Sequence, residues 1–158
     1  METEQLKIFD ENRNPIGVAS REDVHRLGYW HETFHCWFIR KEKEKDYLYL
    51  QLRSKTKKDY PNLLDITAAG HLMADESVED GVREIKEEVG IDLHIQDLIP
   101  LGIIDYCVIE KDFIEKELAH TFLYKSEKSF DDFILQDEVA GIVKVELNEF
   151  AELWFCKR

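Results

Sequence analysis

Arg83-Glu84-Ile85-Lys86-Glu87-Glu88-Val89-Gly90-Ile91 is the stretch from which the fold of this chain can be read. Glu84, Glu87 and Glu88 stand three and four residues apart, offsets that share one face of a helix with 3.6 residues per turn. Toward the N-terminus, Val78, Val82, Ile85 and Val89 are spaced four, three and four apart and form an apolar stripe on another face. Gly90 occupies the position expected of a residue just past a helix end, and Ser77 with Asp80 reads as a capping box at the start. The spacing predicts a short amphipathic helix over 77–89 that presents like charges side by side. Neighbouring carboxylates on a helix repel by roughly a few tenths of a kcal/mol per pair. A divalent cation turns that repulsion into binding energy.

Composition narrows the setting. The chain has 158 residues, 44% hydrophobic and 35% charged, a globular composition for which a single domain over 1–158 is expected. The net charge of −13 disfavours nonspecific nucleic-acid binding, which needs basic surface, and docking on anionic lipid. The first nine residues are charged and lack an apolar signal core, and no apolar run is long enough to span a bilayer. A cytoplasmic protein with neither a nucleic-acid nor a membrane partner is the expectation; a homodimer is compatible with it. Cys36, Cys107 and Cys156 are far apart, odd in number and outside any CxxC pair, as free thiols in a reducing compartment would be.

Outward from the helix, the pattern reads as strands with few helices, an α+β arrangement. A hairpin is expected over 6–9 and 16–19 with its turn at 12–15, followed by a helix over 21–27 that ends at Gly28. Strands over 33–40 and 47–53 are joined by the charged tip 41–45, and a basic loop, 54–63, closes at Tyr60-Pro61-Asn62. A short strand over 66–69 leads into the helix. Further strands are expected over 101–109, 118–124 and 141–146, and a last helix over 148–155 with Asn148 as its N-cap.

The segment 70–91, GHLMADESVEDGVREIKEEVGI, resembles the Nudix box. That box is a glycine, five residues, a glutamate, seven residues, then Arg-Glu, an aliphatic, any residue, Glu-Glu, any residue, Gly and an aliphatic. The second half matches at every fixed position, and Gly70 and Glu76 keep the five-residue gap. Six residues rather than seven separate Glu76 from Arg83, so the chain departs from the pattern at the entry to the helix. The resemblance implies an α/β/α sandwich with a mixed central sheet and magnesium- or manganese-dependent hydrolysis of a small-molecule diphosphate. It implies that Glu84, Glu87 and Glu88 hold metal and carry catalysis, that Arg83 orients them, and that Gly70 lets the backbone approach a metal. Carboxylate oxygens suit magnesium, which neutralises phosphoryl oxygens and activates water. Arg83 lies about 100° round the helix from Glu84 and is not automatically its partner.

Arg53, Lys55, Lys57 and Lys58 form a basic cluster in this acidic chain. Arg53 and Lys55 are candidate substrate-binding residues, Arg53 foremost because its fork suits phosphate. Trp30, Phe34, Trp37 and Phe38 are compatible with stacking on a base, with a prenyl pocket or with the core, where strand aromatics usually sit.

A second resemblance is to type 1 isopentenyl diphosphate isomerases, which share the Nudix fold. It is carried by His31-Glu32-Thr33-Phe34-His35-Cys36-Trp37-Phe38, by Ala69-Gly70-His71 and by Glu115-Lys116-Glu117. It implies a second divalent-metal site from His31, His71, Glu115 and Glu117, with His25 as a fifth ligand. Imidazoles with carboxylates suit zinc or manganese better than magnesium. Ala69 stands where those enzymes have their catalytic cysteine. The expected function is therefore a Nudix hydrolase of isomerase-like type. The alternatives are an isopentenyl-diphosphate-isomerase-like enzyme, or a non-catalytic Nudix-derived nucleotide-binding module.

Overall fold

An antiparallel hairpin opens the chain. In the computed structural model, which describes residues 4–155, β1 (Gln5–Phe9) pairs with β2 (Pro15–Ser20). The Asp10 carboxylate organises the turn, accepting from the amides of Asn12 at 2.8 Å and Asn14 at 2.9 Å. The Ser20 hydroxyl caps α1 (Arg21–Leu27) by accepting from the Asp23 amide, and Gly28 ends it at a left-handed φ of 75°. β3 (Trp30–Glu42) and β4 (Lys45–Arg53) form a long hairpin. Its tip is Lys43-Glu44, both at positive φ, as a two-residue turn matched to strand twist requires. β5 (Leu64–Ile66), β6 (Ala68–His71), α2 (Arg83–Val89), β7 (Ile99–Glu110), β8 (Phe113–Lys125), β9 (Val139–Glu146) and α3 (Leu147–Phe155) follow.

All nine strands join one open, mixed sheet, and β3 is its axis. Along one edge of β3, β8 runs parallel from the Trp30–Lys116 pair to the Ile39–Lys125 pair. The other edge is shared in succession by β1, β6 and β4. Beyond Tyr49, β4 leaves β3 and pairs with β5, while β9 runs along its other edge from Tyr47 to Arg53, and β6 takes the place of β4 beside β3. Thr67 stitches the fork: its buried hydroxyl donates to the Tyr49 carbonyl and accepts from the Phe38 amide at 2.9 Å. That stitch splits the strand expected over 66–69 into β5 and β6.

Alternation along β3 sorts its side chains between two faces. Phe34, Cys36 and Phe38 are fully buried and pack with Ile85 and Val89 of α2, Leu72 and Phe122. Thr33, His35 and Trp37 face a cleft. On that same face α1 brings His25 to His31, so helices lie on both sides of the sheet as expected of a sandwich. No helix of the described residues is long and apolar enough to cross a membrane.

Two helical expectations are corrected. The helix expected over 77–89 is a 3₁₀ turn, Val78–Val82, followed by α2. A 3₁₀ turn rises about 2.0 Å per residue against about 1.5 Å, so it spans the entry with the one residue fewer that this chain has there. The Ser77–Asp80 capping box is present. Asn148 lies inside α3 rather than capping it; the Glu146 carboxylate takes that role, accepting from the Glu149 amide at 2.8 Å.

Candidate active site

The start of the site is a close approach between β6 and α2. Gly70 lies within β6, not in a turn, and a Cβ there would come 2.2 Å from the Glu84 carboxyl carbon. Glycine is what admits that carboxylate beside the strand. One residue earlier, the Ala69 amide donates to Glu88 Oε1 at 2.8 Å, and Gln51 Nε2 donates to the same oxygen at 3.1 Å.

Arg83 ties the segment together. Its Nε and Nη2 donate to the two Glu76 oxygens at 2.6 Å each, and its Nη1 reaches Glu84 Oε1 at 2.5 Å and Glu87 Oε2 at 3.0 Å. The 100° offset in the helix does not separate Arg83 from Glu84, because the guanidinium is long enough to span both rows. Glu76, the glutamate on the shortened side of the box, is the bidentate anchor of this arginine and also accepts from the Met73 amide at 2.8 Å. Burial pushes Glu84 up to about 7 despite the opposing charge of Arg83. Burial likewise pushes Glu88 up to about 8 against the hydrogen bonds from Ala69 and Gln51. Glu87 remains largely exposed at the rim.

A second cluster lies where α1, β3, β6 and β8 meet. His25, His31, His71 and Glu115 each offer a ligand atom, all within 4.8 Å of one another. His31 Nδ1 lies 3.1 Å from the Tyr29 carbonyl. A proton on Nδ1 donates there and leaves the Nε2 lone pair directed inward. That Nε2 is buried, has no hydrogen-bond partner among the described residues, and lies 3.3 Å from Glu115 Oε1. Two acceptors facing each other in the interior need a cation or proton between them. Burial alone would raise Glu115, but the hydrogen bond with His25 and the close approach of the His31 imidazole outweigh it and hold the carboxyl well below the usual carboxylate range. Burial lowers the His71 pKa, which favours a neutral, ligating imidazole. Three imidazoles and one carboxylate suit a transition ion.

Glu117 stands outside this group of four. Its Oε1 accepts from Thr33 Oγ1 at 2.8 Å and lies 3.0 Å from His35 Nε2. Thr33 and His35 were not singled out from the sequence; the alternation His31-Thr33-His35 on one face of a strand was the available signal.

Both carboxylate groups open into one cleft of about 910 Å³. Its basic groups are Arg21, Arg53, Lys57 and Arg83. Arg53 borders the cleft, but its guanidinium is engaged by the carbonyls of Asp59 and Tyr60 and by Asp65 at 3.0 Å. Lys55 is exposed and off the cleft wall, and Lys57, paired with Glu138 at 3.1 Å, lies there instead. Ala69 lines the cleft, yet no cysteine among the described residues does. Cys36 is in the core with its thiol pushed up to about 12 by burial, Cys107 is exposed, and Cys156 lies outside the described residues.

Residues 29–157 match the family model of the NUDIX domain. An uncharacterized Nudix hydrolase of Clostridium acetobutylicum is 45% identical over 152 residues, 96% of this chain and 74% of that protein. An isopentenyl-diphosphate delta-isomerase of Photorhabdus laumondii is 30% identical over 151 residues, 95% of this chain and 81% of that protein. Among solved structures, DR0079 of Deinococcus radiodurans superposes with a TM-score of 0.72, covering 96% of this chain and 89% of its own, at 18% identity, a likeness of fold.

Proposed function

The chain belongs to the Nudix family and is a Nudix hydrolase, and we propose that it cleaves the diphosphate linkage of a small organic diphosphate, such as a nucleoside diphosphate derivative, with divalent cations bound at Glu84, Glu87 and Glu88. The observation that carries this reading is the pair of cleft carboxyls, Glu84 and Glu88, both buried and both raised toward neutrality. Glu84 has Arg83 beside it and Glu88 has no ion-pair partner among the described residues, and buried carboxylates so incompletely balanced are poised to take a cation from solution. Magnesium or manganese there would set positive charge against phosphoryl oxygens and make water more acidic. The chain's own groups do the rest. Arg83 orients Glu84 and Glu87; Gln51 and the Ala69 amide fix Glu88. Water adds to phosphorus, the bond to the bridging oxygen breaks with its electron pair leaving on the departing phosphate, and the water proton passes to a cleft carboxylate. His25, His31, His71 and Glu115 would hold a second divalent ion, zinc or manganese by donor type.

A second reading, an isomerase of five-carbon diphosphates, is favoured by the histidine cluster and by the isomerase relative. Among the described residues no thiol lines the cleft, which counts against it. A release assay across nucleoside, sugar and prenyl diphosphates, with magnesium or manganese, separates the readings. Chelator-sensitive release of phosphate or a monophosphate is expected. Interconversion of the two five-carbon diphosphates at an ordinary turnover of ~1–10³ s⁻¹ would favour the isomerase. Tight nucleotide binding without any release would favour a binding module. For the cluster, metal analysis of the purified protein is expected to find one transition ion that a His71→Ala, Glu115→Ala double variant loses; wild-type protein that takes up none at neutral pH removes that site from the proposal.

A further inference from the structure

Two buried side-chain polar atoms have no hydrogen-bond partner among the described residues, His31 Nε2 and Tyr60 Oη. The first belongs to the histidine cluster. The second has no part in anything described above, and a buried hydroxyl left without a partner forfeits its desolvation energy. Tyr60 sits in the 54–63 loop and borders the cleft together with His25, His71 and Glu115. Its ring meets Phe113 edge-on with centroids 6.0 Å apart, and Phe113 stacks on His25 at 4.5 Å. A continuous run of rings thus leads from the loop to the cluster.

The placement of Tyr60 is enforced. Arg53 Nε donates to the Tyr60 carbonyl at 3.1 Å, and its Nη2 donates to the Asp59 carbonyl at 2.7 Å. Tyr60 itself takes a left-handed φ of 50° directly before Pro61, a conformation that a non-glycine residue before proline avoids unless its surroundings impose it. Arg53, expected to bind phosphate, holds the loop that presents Tyr60.

We propose that the Tyr60 hydroxyl is a substrate-binding group, donating a hydrogen bond to a non-bridging phosphoryl oxygen of a diphosphate lodged beside the His25–His31–His71–Glu115 cluster. The proposal rests on the diphosphate hydrolase reading above. Burial, then the charges of Glu115 and Glu110, push the phenol up to about 12, so it is protonated and offers a donor. Glu115, the nearby carboxylate on the cluster, already meets His25 at 3.1 Å and His31 at 3.3 Å. An anionic oxygen brought by the ligand supplies the acceptor that the protein does not, and a cation in the cluster balances its charge.

The test is calorimetric titration of Mn²⁺, and then of inorganic pyrophosphate in the presence of Mn²⁺, into wild-type protein and Tyr60→Phe. The phenyl ring keeps the Phe113 contact and loses only the hydroxyl. Expected are an unchanged thermal midpoint, unchanged Mn²⁺ affinity, and pyrophosphate affinity about 10-fold or more weaker. Equal pyrophosphate affinity in the two proteins overturns the proposal. So does a loss of Mn²⁺ affinity or of the thermal midpoint alongside it, which marks the hydroxyl as structural. A wild-type protein that binds Mn²⁺ but no pyrophosphate removes the diphosphate reading itself, and this proposal with it.

Discussion

Glu87 and Glu88 differ in what they contribute, although the box treats them as a pair. Glu88 is 8% exposed and clamped by Gln51 and the Ala69 amide, whereas Glu87 meets only Arg83 in the described contacts and stands at the rim. Glu87→Gln and Glu88→Gln are each expected to lower kcat about 100-fold or more, the loss typical of a preorganised electrostatic group. Circular dichroism should report a retained fold; near-normal turnover in both folded variants would remove the carboxylates from the mechanism. Gly70→Ala tests the close approach from the other side. The atoms that a Cβ would meet are the far end of the Glu84 side chain, which can swing aside, so the substitution displaces a carboxylate rather than the backbone. Its thermal midpoint should stay near the wild type's while kcat falls ~100-fold, as misplacement of a reacting group by about 1 Å does. A midpoint that collapses with activity intact would mean that Gly70 serves packing alone.

Elements whose signals are local were legible. α1 matches its expected span because the Ser20 cap and the Gly28 terminator are both in the adjacent sequence, and the hairpin tip at Lys43-Glu44 announces itself by charge and position. Elements set by distant partners were not. The break between β5 and β6 exists because Thr67 answers a carbonyl on β4 and an amide on β3, and nothing near Thr67 in sequence records those partners. The parallel register of β3 and β8 sets Glu117 opposite His31, yet its carboxylate reaches along the strand to His35, which spacing alone does not disclose. Thr67→Val keeps the shape and removes the stitch, leaving the Phe38 amide and the Tyr49 carbonyl without that hydroxyl. Each buried polar group left unpaired costs about 1–3 kcal/mol, so with two of them the thermal midpoint should fall by roughly 4–24 °C. An unchanged midpoint would show that the fork closes without Thr67.

For the whole molecule, stability should depend on pH in opposite senses on the two sides of the ordinary carboxylate value of 4.5. Glu84 and Glu88 have folded pKa values of about 7 and about 8, above their ordinary value of 4.5. Their share of stability is fully present below about pH 4.5 and lost as pH rises through 7 and 8. Glu32, Glu76 and Glu115 are lowered, by His120, by Arg83 and by the cluster histidines against burial. Their share is present above the ordinary value and lost as pH falls. In chelator, the thermal midpoint is therefore expected to decline from pH 6 to pH 8.5, and Glu88→Gln should flatten the decline. Added Mn²⁺ should raise the midpoint most at the alkaline end, where the carboxylates are ionised. A midpoint in chelator that does not change over that range, in wild type and variant alike, would mean that the two carboxyls are solvated and not suppressed by burial.

The parallel seam between β3 and β8 has a kinetic consequence. It joins His35 to Glu117 across 82 positions of chain, whereas the β3–β4 and β7–β8 hairpins join neighbours. Local hairpins close in microseconds, and long-range parallel pairing waits on loop-closure entropy. During refolding, amide protection in the two hairpins should appear before protection along the seam. Competence to bind a transition ion should arrive only with the seam, because β3 and β8 each supply part of that cluster.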